Sequence, residues 1–179
     1  MSGVTPPAIT LKPVSEEDAD FVASIKINKD IWYYEPENDI PSDFAKVRDE
    51  VISRIGSEGY MDYVILNEDG IPAGECHLHW FEIDRGSWEI GYCVLPQFRR
   101  RGYCAEAVKR LIDIAFCRCH AHKLVAMCNE HNDASRRVME KCGMFRELVI
   151  REELPWRGGW ANQLMYSILE HEYYKRSIL

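Results

Sequence analysis

Three runs rich in apolar and aromatic residues, YMDYVILN, IPAGECHLHWF and SWEIGYCVL, follow one another between Tyr60 and Leu95. Glu68-Asp69-Gly70 separates the first two, and the five residues from Glu82 to Gly86, with a turn at Asp84-Arg85-Gly86, separate the second and third. Connections that short cannot carry a crossover, so neighbouring runs must be antiparallel strands joined by hairpins. A three-strand meander in mid-chain constrains the rest: the flanking segments must cover its faces or extend its edges.

The flanks supply suitable pieces. AITLKPV reads as a first strand. SEEDADFVASIKI places Ser15 and Asp18 at capping-box spacing ahead of apolar residues at helical intervals. After the aromatic and acidic loop NKDIWYYEPENDIP, SDFAKVRDEVISRIG predicts a second helix, capped by Ser42 and stopped by Gly56. GYCAEAVKRLIDIAF gathers Ala105, Val108, Ile112, Ala115 and Phe116 on one helical face. HKLVAMCN reads as a strand, and NDASRRVMEKCG as a helix between Asn132 as N-cap and Gly143 as C-cap. MFRELVIREE and ANQLMYSIL form a closing hairpin about Arg157-Gly158-Gly159. The expected order is β-α-α-β-β-β-α-β-α-β-β, an α+β (mixed α/β) fold with a largely antiparallel sheet. Without repeat or linker, 1–179 reads as a single domain with one core.

Composition excludes several classes. A formal net charge of -7 argues against a nucleic-acid binder and is compatible with a cationic substrate. No apolar run is long enough to span a bilayer, and MSGVTPPAITLKP lacks the features of an export signal. Seven cysteines, an odd number scattered through strands and helices, then suit reduced thiols in the cytoplasm. The run FCRCHAHK offers Cys117, Cys119, His120 and His122 as metal ligands. It straddles a helix end and a strand start, so the side chains should diverge, and no metal is expected.

Against that acidic background, PQFRRRGYC concentrates three arginines just before a glycine and a helix. A nucleic-acid arm, an anion cradle and a solvated charge run are all open to such a stretch. The helix's first turn carries unpaired N–H groups and a partial positive charge, and Gly102 lets a bulky ligand approach the backbone. Strand, basic loop and helix N-terminus together form a phosphate-binding arrangement.

CVLPQFRRRGYCAEA resembles the V-x-P-x-x-R-x-x-G-x-[GA] signature of the GNAT superfamily of acyl-CoA N-acetyltransferases, with Val94, Pro96, Arg99, Gly102 and Cys104 in place. NDASRRVMEKCGM is similar to that family's N-x-x-S-x-x-V-x-E-K-x-G-F segment through Asn132, Ser135, Val138, Glu140, Lys141 and Gly143. GWANQLMYSIL resembles the terminal segment of the ribosomal-protein N-terminal (Rim-type) subgroup, with Asn162 where the subgroup has Asp. Cys104 stands for the family's Gly or Ala, and Met139 for the tyrosine that protonates the departing thiolate in many members.

The resemblance implies acetyl-CoA as cosubstrate and direct acetyl transfer to a primary amine, either a protein N-terminus or a small amine. The alternative is a non-catalytic acyl-CoA-binding or sensor protein of the same fold. A homodimer is compatible with either. It further implies a splayed central sheet, with Cys93, Val94 and Leu95 receiving the pantetheine arm. Arg99, Arg100, Arg101, Gly102, Tyr103 and Cys104 would form the pyrophosphate loop, Ala105 would open the helix, Asn132 would bond the cofactor arm, and Ser135 would also contact the cofactor.

Acetylating an amine requires the neutral amine, and lysine-type amines have pKa values near about 10. Glu89 is the first candidate for the base. Strand alternation puts it on one face with Gly91 and Cys93, where a carboxylate is costly unless paired or functional. His79, expected opposite Gly91 and beside Glu89, is a second candidate base or a substrate contact. Ser135 is the candidate to replace the missing tyrosine. For the acceptor, the resemblance points to Trp32, Tyr33, Tyr34, Glu35, Glu37 and Asp39 in the loop between the first two helices. It also points to Trp156, Arg157 and Trp160 in the last hairpin. Aromatic rings and acids suit a cationic amine.

Overall fold

In the computed structural model, which describes residues 6–177, the meander lies inside one seven-stranded sheet. Its strands are β1 (Thr10–Pro13), β2 (Tyr60–Leu66), β3 (Pro72–Glu82), β4 (Ser87–Val94), β5 (Lys123–Asn129), β6 (Phe145–Trp156) and β7 (Gly159–Leu169). They lie in the order β1-β2-β3-β4-β5-β7-β6. Every neighbouring pair is antiparallel except β4 and β5, which are linked through helix α3 (Tyr103–Cys117). Helices α1 (Ala19–Lys26), α2 (Phe44–Arg54), α4 (Asp133–Lys141) and α5 (Glu170–Ser177) complete the fold. The expected order holds, and α5 is an addition that the sequence analysis passed over.

Each helix is explained by its sequence. The five α3 residues expected on one face are all buried, and Leu111, Ala107 and Tyr103 join them. Full burial of a Leu, Ile or Phe side chain contributes roughly 1.5–3 kcal/mol, enough to hold α3 on the sheet. Ser15 and Asp18 form their reciprocal contact, with the Ser15 N–H and O–H donating to Asp18 Oδ2 at 2.9 and 2.8 Å. At α2 the cap is Asp43, not Ser42: its Oδ1 accepts the Lys46 N–H at 3.0 Å, because Asp43 directly precedes the first helical residue. Asn132 caps α4 as expected, accepting the Ser135 N–H at 3.1 Å.

The two sheet faces differ in chemistry. Leu78, Ile90 and Val94 face the large core shared with α3 and with Met139 of α4. On the other face Val64 packs with Val22 of α1 and Val51 of α2. The rest of that face is largely polar in its centre, where Asp62, Glu75, His77, His79 and Glu89 occupy neighbouring strands.

Candidate active site

β4 pairs with β3 along its whole length, from Ser87 to Val94. With β5 it pairs only at Ser87↔Lys123, Trp88↔Leu124 and Glu89↔Val125. β5 continues to Asn129 against β7, so beyond Glu89 the two central strands diverge into a wedge. Alternate N–H and C=O groups of Ile90 to Val94 therefore face a gap rather than a neighbouring strand. Gly74 helps to make that gap. A Cβ there would sit 2.2 Å from the Cys93 carbonyl oxygen, so only glycine lets the end of β4 lean this close to β3.

The basic loop closes the wide end of the wedge. Arg100 and Gly102 have φ of 64° and 89°, and the coil then enters α3, whose first turn is closed by the Glu106 N–H on the Gly102 carbonyl at 3.1 Å. The N–H groups of Tyr103, Cys104 and Ala105 precede that bond and are free of intrahelical partners. Arg99, Arg100 and Arg101 are exposed, and the ion pairs among the described residues do not include them. Tyr103 is buried, and its hydroxyl donates to Glu68 at 2.7 Å, tying the loop to the β2–β3 turn. Val94 is buried, Cys93 and Leu95 are half-buried, and the Leu95 N–H is taken by the Ala73 carbonyl at 2.9 Å.

At the narrow end stands Glu89. Burial, with the nearby charge of Glu35, pushes its pKa up to about 7. His79 is directly opposite it rather than opposite Gly91, with Nε2 3.6 Å from Glu89 Oε2. The register differs from the expected one by two residues for a local reason. Phe81 bulges out of the ladder between Trp80 and Glu82, and the connection consumes Ile83 as well as Asp84, Arg85 and Gly86. His77 takes the place opposite Gly91. Burial holds both imidazoles below the usual histidine range, so they are neutral at pH 7.

Behind His79 lies a group that the sequence analysis did not single out. Ligand atoms of Asp62, Glu75 and His77 lie within 4.8 Å of one another, the one such set of three found among the described residues. The Lys26 ammonium, 3.3 Å from both Glu75 oxygens, balances part of that charge. Burial works against the ammonium, but the carboxylates of Glu75 and Asp62 outweigh it and hold its pKa above the usual lysine value. Two-residue alternation along β2 and β3 was the available signal, but it needs the register to become a cluster.

A cavity of about 300 Å³ is lined by Trp32, Glu35, Asp39 and Glu50 with Lys26 and Arg54. Burial and Asp39 raise the pKa of Glu35. The loop carrying these residues is latched to the last hairpin. Trp156 Nε1 donates to the Tyr33 carbonyl at 3.0 Å, and its ring stacks on Tyr34. Asn129 Nδ2 donates to the Tyr34 carbonyl, also at 3.0 Å. The Arg157 guanidinium sits 4.5 Å from the Tyr33 ring centroid. Trp160 does not join them: it is 63% exposed at the hairpin tip and makes no ring stack among the described residues. Glu37 is exposed and pairs with Lys29.

On the opposite side of β4, the Tyr92 phenol lies 2.9 Å from Ser135 Oγ and 3.2 Å from the Ser135 carbonyl. Met139 is fully buried, an apolar replacement that packs rather than titrates. Asn162 is explained by Glu130, whose carboxylate accepts its N–H at 2.7 Å and its Nδ2 at 2.9 Å; an Asp there would meet like charge. The residues of FCRCHAHK do not form a ligand set.

Comparison with known proteins agrees with this geometry. The family described as the Acetyltransferase (GNAT) domain matches residues 8–145. The uncharacterized N-acetyltransferase YnaD of Bacillus subtilis (strain 168) is 26% identical over 171 residues, 95% of this chain and 98% of the relative. The putative ribosomal N-acetyltransferase YdaF of the same organism is 26% identical over 176 residues, covering 92% and 93% of the two chains. In three dimensions the chain superposes on the spermidine N-acetyltransferase from Vibrio cholerae, solved in complex with CoA and spermine. The TM-score is 0.83 at 19% identity, over 93% of this chain and 98% of the other. The chain belongs to the GNAT acetyltransferases.

Proposed function

We propose that this GNAT N-acetyltransferase moves an acetyl group from acetyl-CoA directly onto a small cationic amine. The observation that carries the proposal is the position of Glu89. A carboxyl with a pKa of about 7 stands where β4 leaves β5, and the charge of Glu35 in the acidic cavity reaches it. A base with that pKa is half ionised at neutral pH and still basic enough to take a proton from an ammonium.

The chain's residues fit the cosubstrate in parts. Free N–H groups at the start of α3 and the three exposed guanidiniums suit a pyrophosphate and an adenosine phosphate. The unpaired edge of β4 from Ile90 to Val94 suits an extended, amide-containing arm. Acetyl-CoA supplies the activated thioester. Glu89 receives the amine's proton, His79 shields that carboxylate from water, and Ser135 faces the departing sulfur. His79, neutral and stacked on Tyr60 at 5.1 Å, is a support for Glu89 rather than the first acceptor of the proton.

Direct transfer fits the cysteines. Burial pushes Cys104 up to about 12 and Cys128 and Cys142 to about 11, so these thiols stay protonated and are poor nucleophiles.

The acids Glu35, Asp39 and Glu50 favour a cationic acceptor, and the spermine bound by the Vibrio cholerae enzyme supports a small one. A protein N-terminus, the Rim-type acceptor suggested by YdaF, is the competing substrate. The test measures thiol release from acetyl-CoA with diamines and polyamines, amino acids, aminoglycosides and short peptides. Turnover highest on small amines with a second positive charge is the expected result. Turnover confined to peptides would move the acceptor to the Rim type, and tight acetyl-CoA binding without turnover would favour the sensor.

A further inference from the structure

Ser135, the candidate for the role of the missing tyrosine, needs something to hold its hydroxyl in place. A serine in the first turn of a helix ordinarily spends its O–H on a nearby backbone carbonyl. Here Ser135 Oγ has a different neighbour, the Tyr92 phenol at 2.9 Å, across a sequence separation of 43. The Ser135 N–H is meanwhile fixed on Asn132 Oδ1, so the residue is held from two sides.

Tyr92 is well placed to act on the wedge. It lies three residues beyond Glu89, the last β4 residue paired with β5, and alternation puts it on the opposite face of the strand. An acyl group lying in the wedge therefore has Glu89 on one side and the Tyr92–Ser135 pair on the other. α4 offers no second hydroxyl, since its remaining residues are Asp133, Ala134, Arg136, Arg137, Val138, Met139, Glu140 and Lys141. Burial raises the phenol's pKa far above neutrality, so it is a permanent donor and never a base.

We infer that Tyr92 is a positioning residue for thiol release: its phenol, which donates to the Ser135 carbonyl at 3.2 Å and lies 2.9 Å from Ser135 Oγ, shares its one proton between the two oxygens and so leaves the Ser135 O–H to point at the leaving sulfur. The inference rests on the acetyl-transfer reading above. The C–N bond forms as the amine's proton goes to Glu89, and the C–S bond breaks with its electron pair going to sulfur. Both hydroxyls keep their protons and donate hydrogen bonds only; the thiolate takes its proton from water after release.

The test compares wild type with Tyr92→Phe, Ser135→Ala, the double variant and Ser135→Thr, each as the full chain with the best amine. Acetyl-CoA dissociation constants are measured separately by calorimetry. Tyr92→Phe and Ser135→Ala should each lower kcat by about tenfold or more, a modest share of what a hydrogen-bond donor aimed at developing charge contributes. The double variant should be no slower than Ser135→Ala, because one chain of hydrogen bonds is broken once. Ser135→Thr, which keeps the hydroxyl, should stay near wild type, and acetyl-CoA affinity should change less than about threefold in all four.

A Tyr92→Phe enzyme with wild-type kcat overturns the inference, as does a double variant whose loss is the product of the singles. Weakened acetyl-CoA binding at unchanged kcat also overturns it, by making Tyr92 a packing residue. If Tyr92→Phe does not fold, a wild-type kcat in Ser135→Ala is equally fatal. Loss of activity in Glu89→Gln with none in Tyr92→Phe defeats this inference alone. A wild type that acetylates nothing defeats the underlying reading as well.

Discussion

The His79 imidazole stands directly across the β3–β4 ladder from Glu89, with Nε2 3.6 Å from Oε2. The ring is neutral, so it gives the carboxylate no charge to pair with. What it gives is cover. A carboxyl beside a neutral ring and away from water ionises late, and this is the state a base needs to work near neutrality.

Replacing Glu89 with Gln should remove the acidic limb, with a midpoint near pH 7, from the pH profile of kcat/KM. The residual rate should be at least about a hundredfold lower, as expected for loss of a general base. An unchanged limb would place the base elsewhere.

The same substitution should stabilise the protein, with a defined sign. Glu89 is raised from 4.5 to about 7 in the folded state, so folding opposes its ionisation. The penalty is absent below the unfolded pKa and grows as pH rises through the folded one. Chemical denaturation at pH 8 should therefore show Glu89→Gln more stable on the order of 1–3 kcal/mol, with the difference vanishing near pH 4.

His79→Ala should move the acidic limb below pH 7. Removing the half-buried ring admits water to Glu89 and relieves the burial that raises its pKa. A limb that stays in place would show that Glu35, not cover by His79, sets the value.

Gly102→Ala should weaken acetyl-CoA binding by about tenfold or more. At φ 89° any side chain strains the backbone, and the new Cβ would meet Pro7 at 3.3 Å. Gly102→Glu should be worse by adding negative charge. Replacing Arg99, Arg100 and Arg101 with Ala should cost less, chiefly at low salt, because the exposed guanidiniums attract the anion through screened charge. Calorimetric titration at two salt concentrations separates these cases.

Trp156→Ala should raise the acceptor KM by about fivefold or more while leaving acetyl-CoA affinity unchanged. Its ring and Nε1 hold the Tyr33–Tyr34 segment, which lies between Trp32 and Glu35 of the cavity lining. Equal losses for both substrates would make Trp156 a general packing residue.

Local sequence determined the pieces of this protein. The periodicity of α3, the Ser15–Asp18 and Asn132 caps, the two hairpins of the meander and the glycine-bounded arginine loop are each written within a few neighbouring residues. Such features depend on backbone sterics and nearest hydrogen bonds, which a short window contains. The even spacing of Glu89, Gly91 and Cys93 likewise fixed their common face, whatever the rest of the sheet did.

Tertiary structure decided everything that depends on two distant segments meeting. One bulged residue and one extra turn residue put His79 opposite Glu89, a choice that no alternation pattern contains. The wedge exists because β5 arrives through α3 and follows β7 rather than β4. The Tyr92–Ser135 contact joins β4 to α4, and Asp62, Glu75 and His77 meet only when β2 and β3 are in register. The arginine run shows the division most clearly. Its charge and its glycine were legible in the sequence, but the positive φ at Gly102 and the start of α3 place that charge beside an open strand edge.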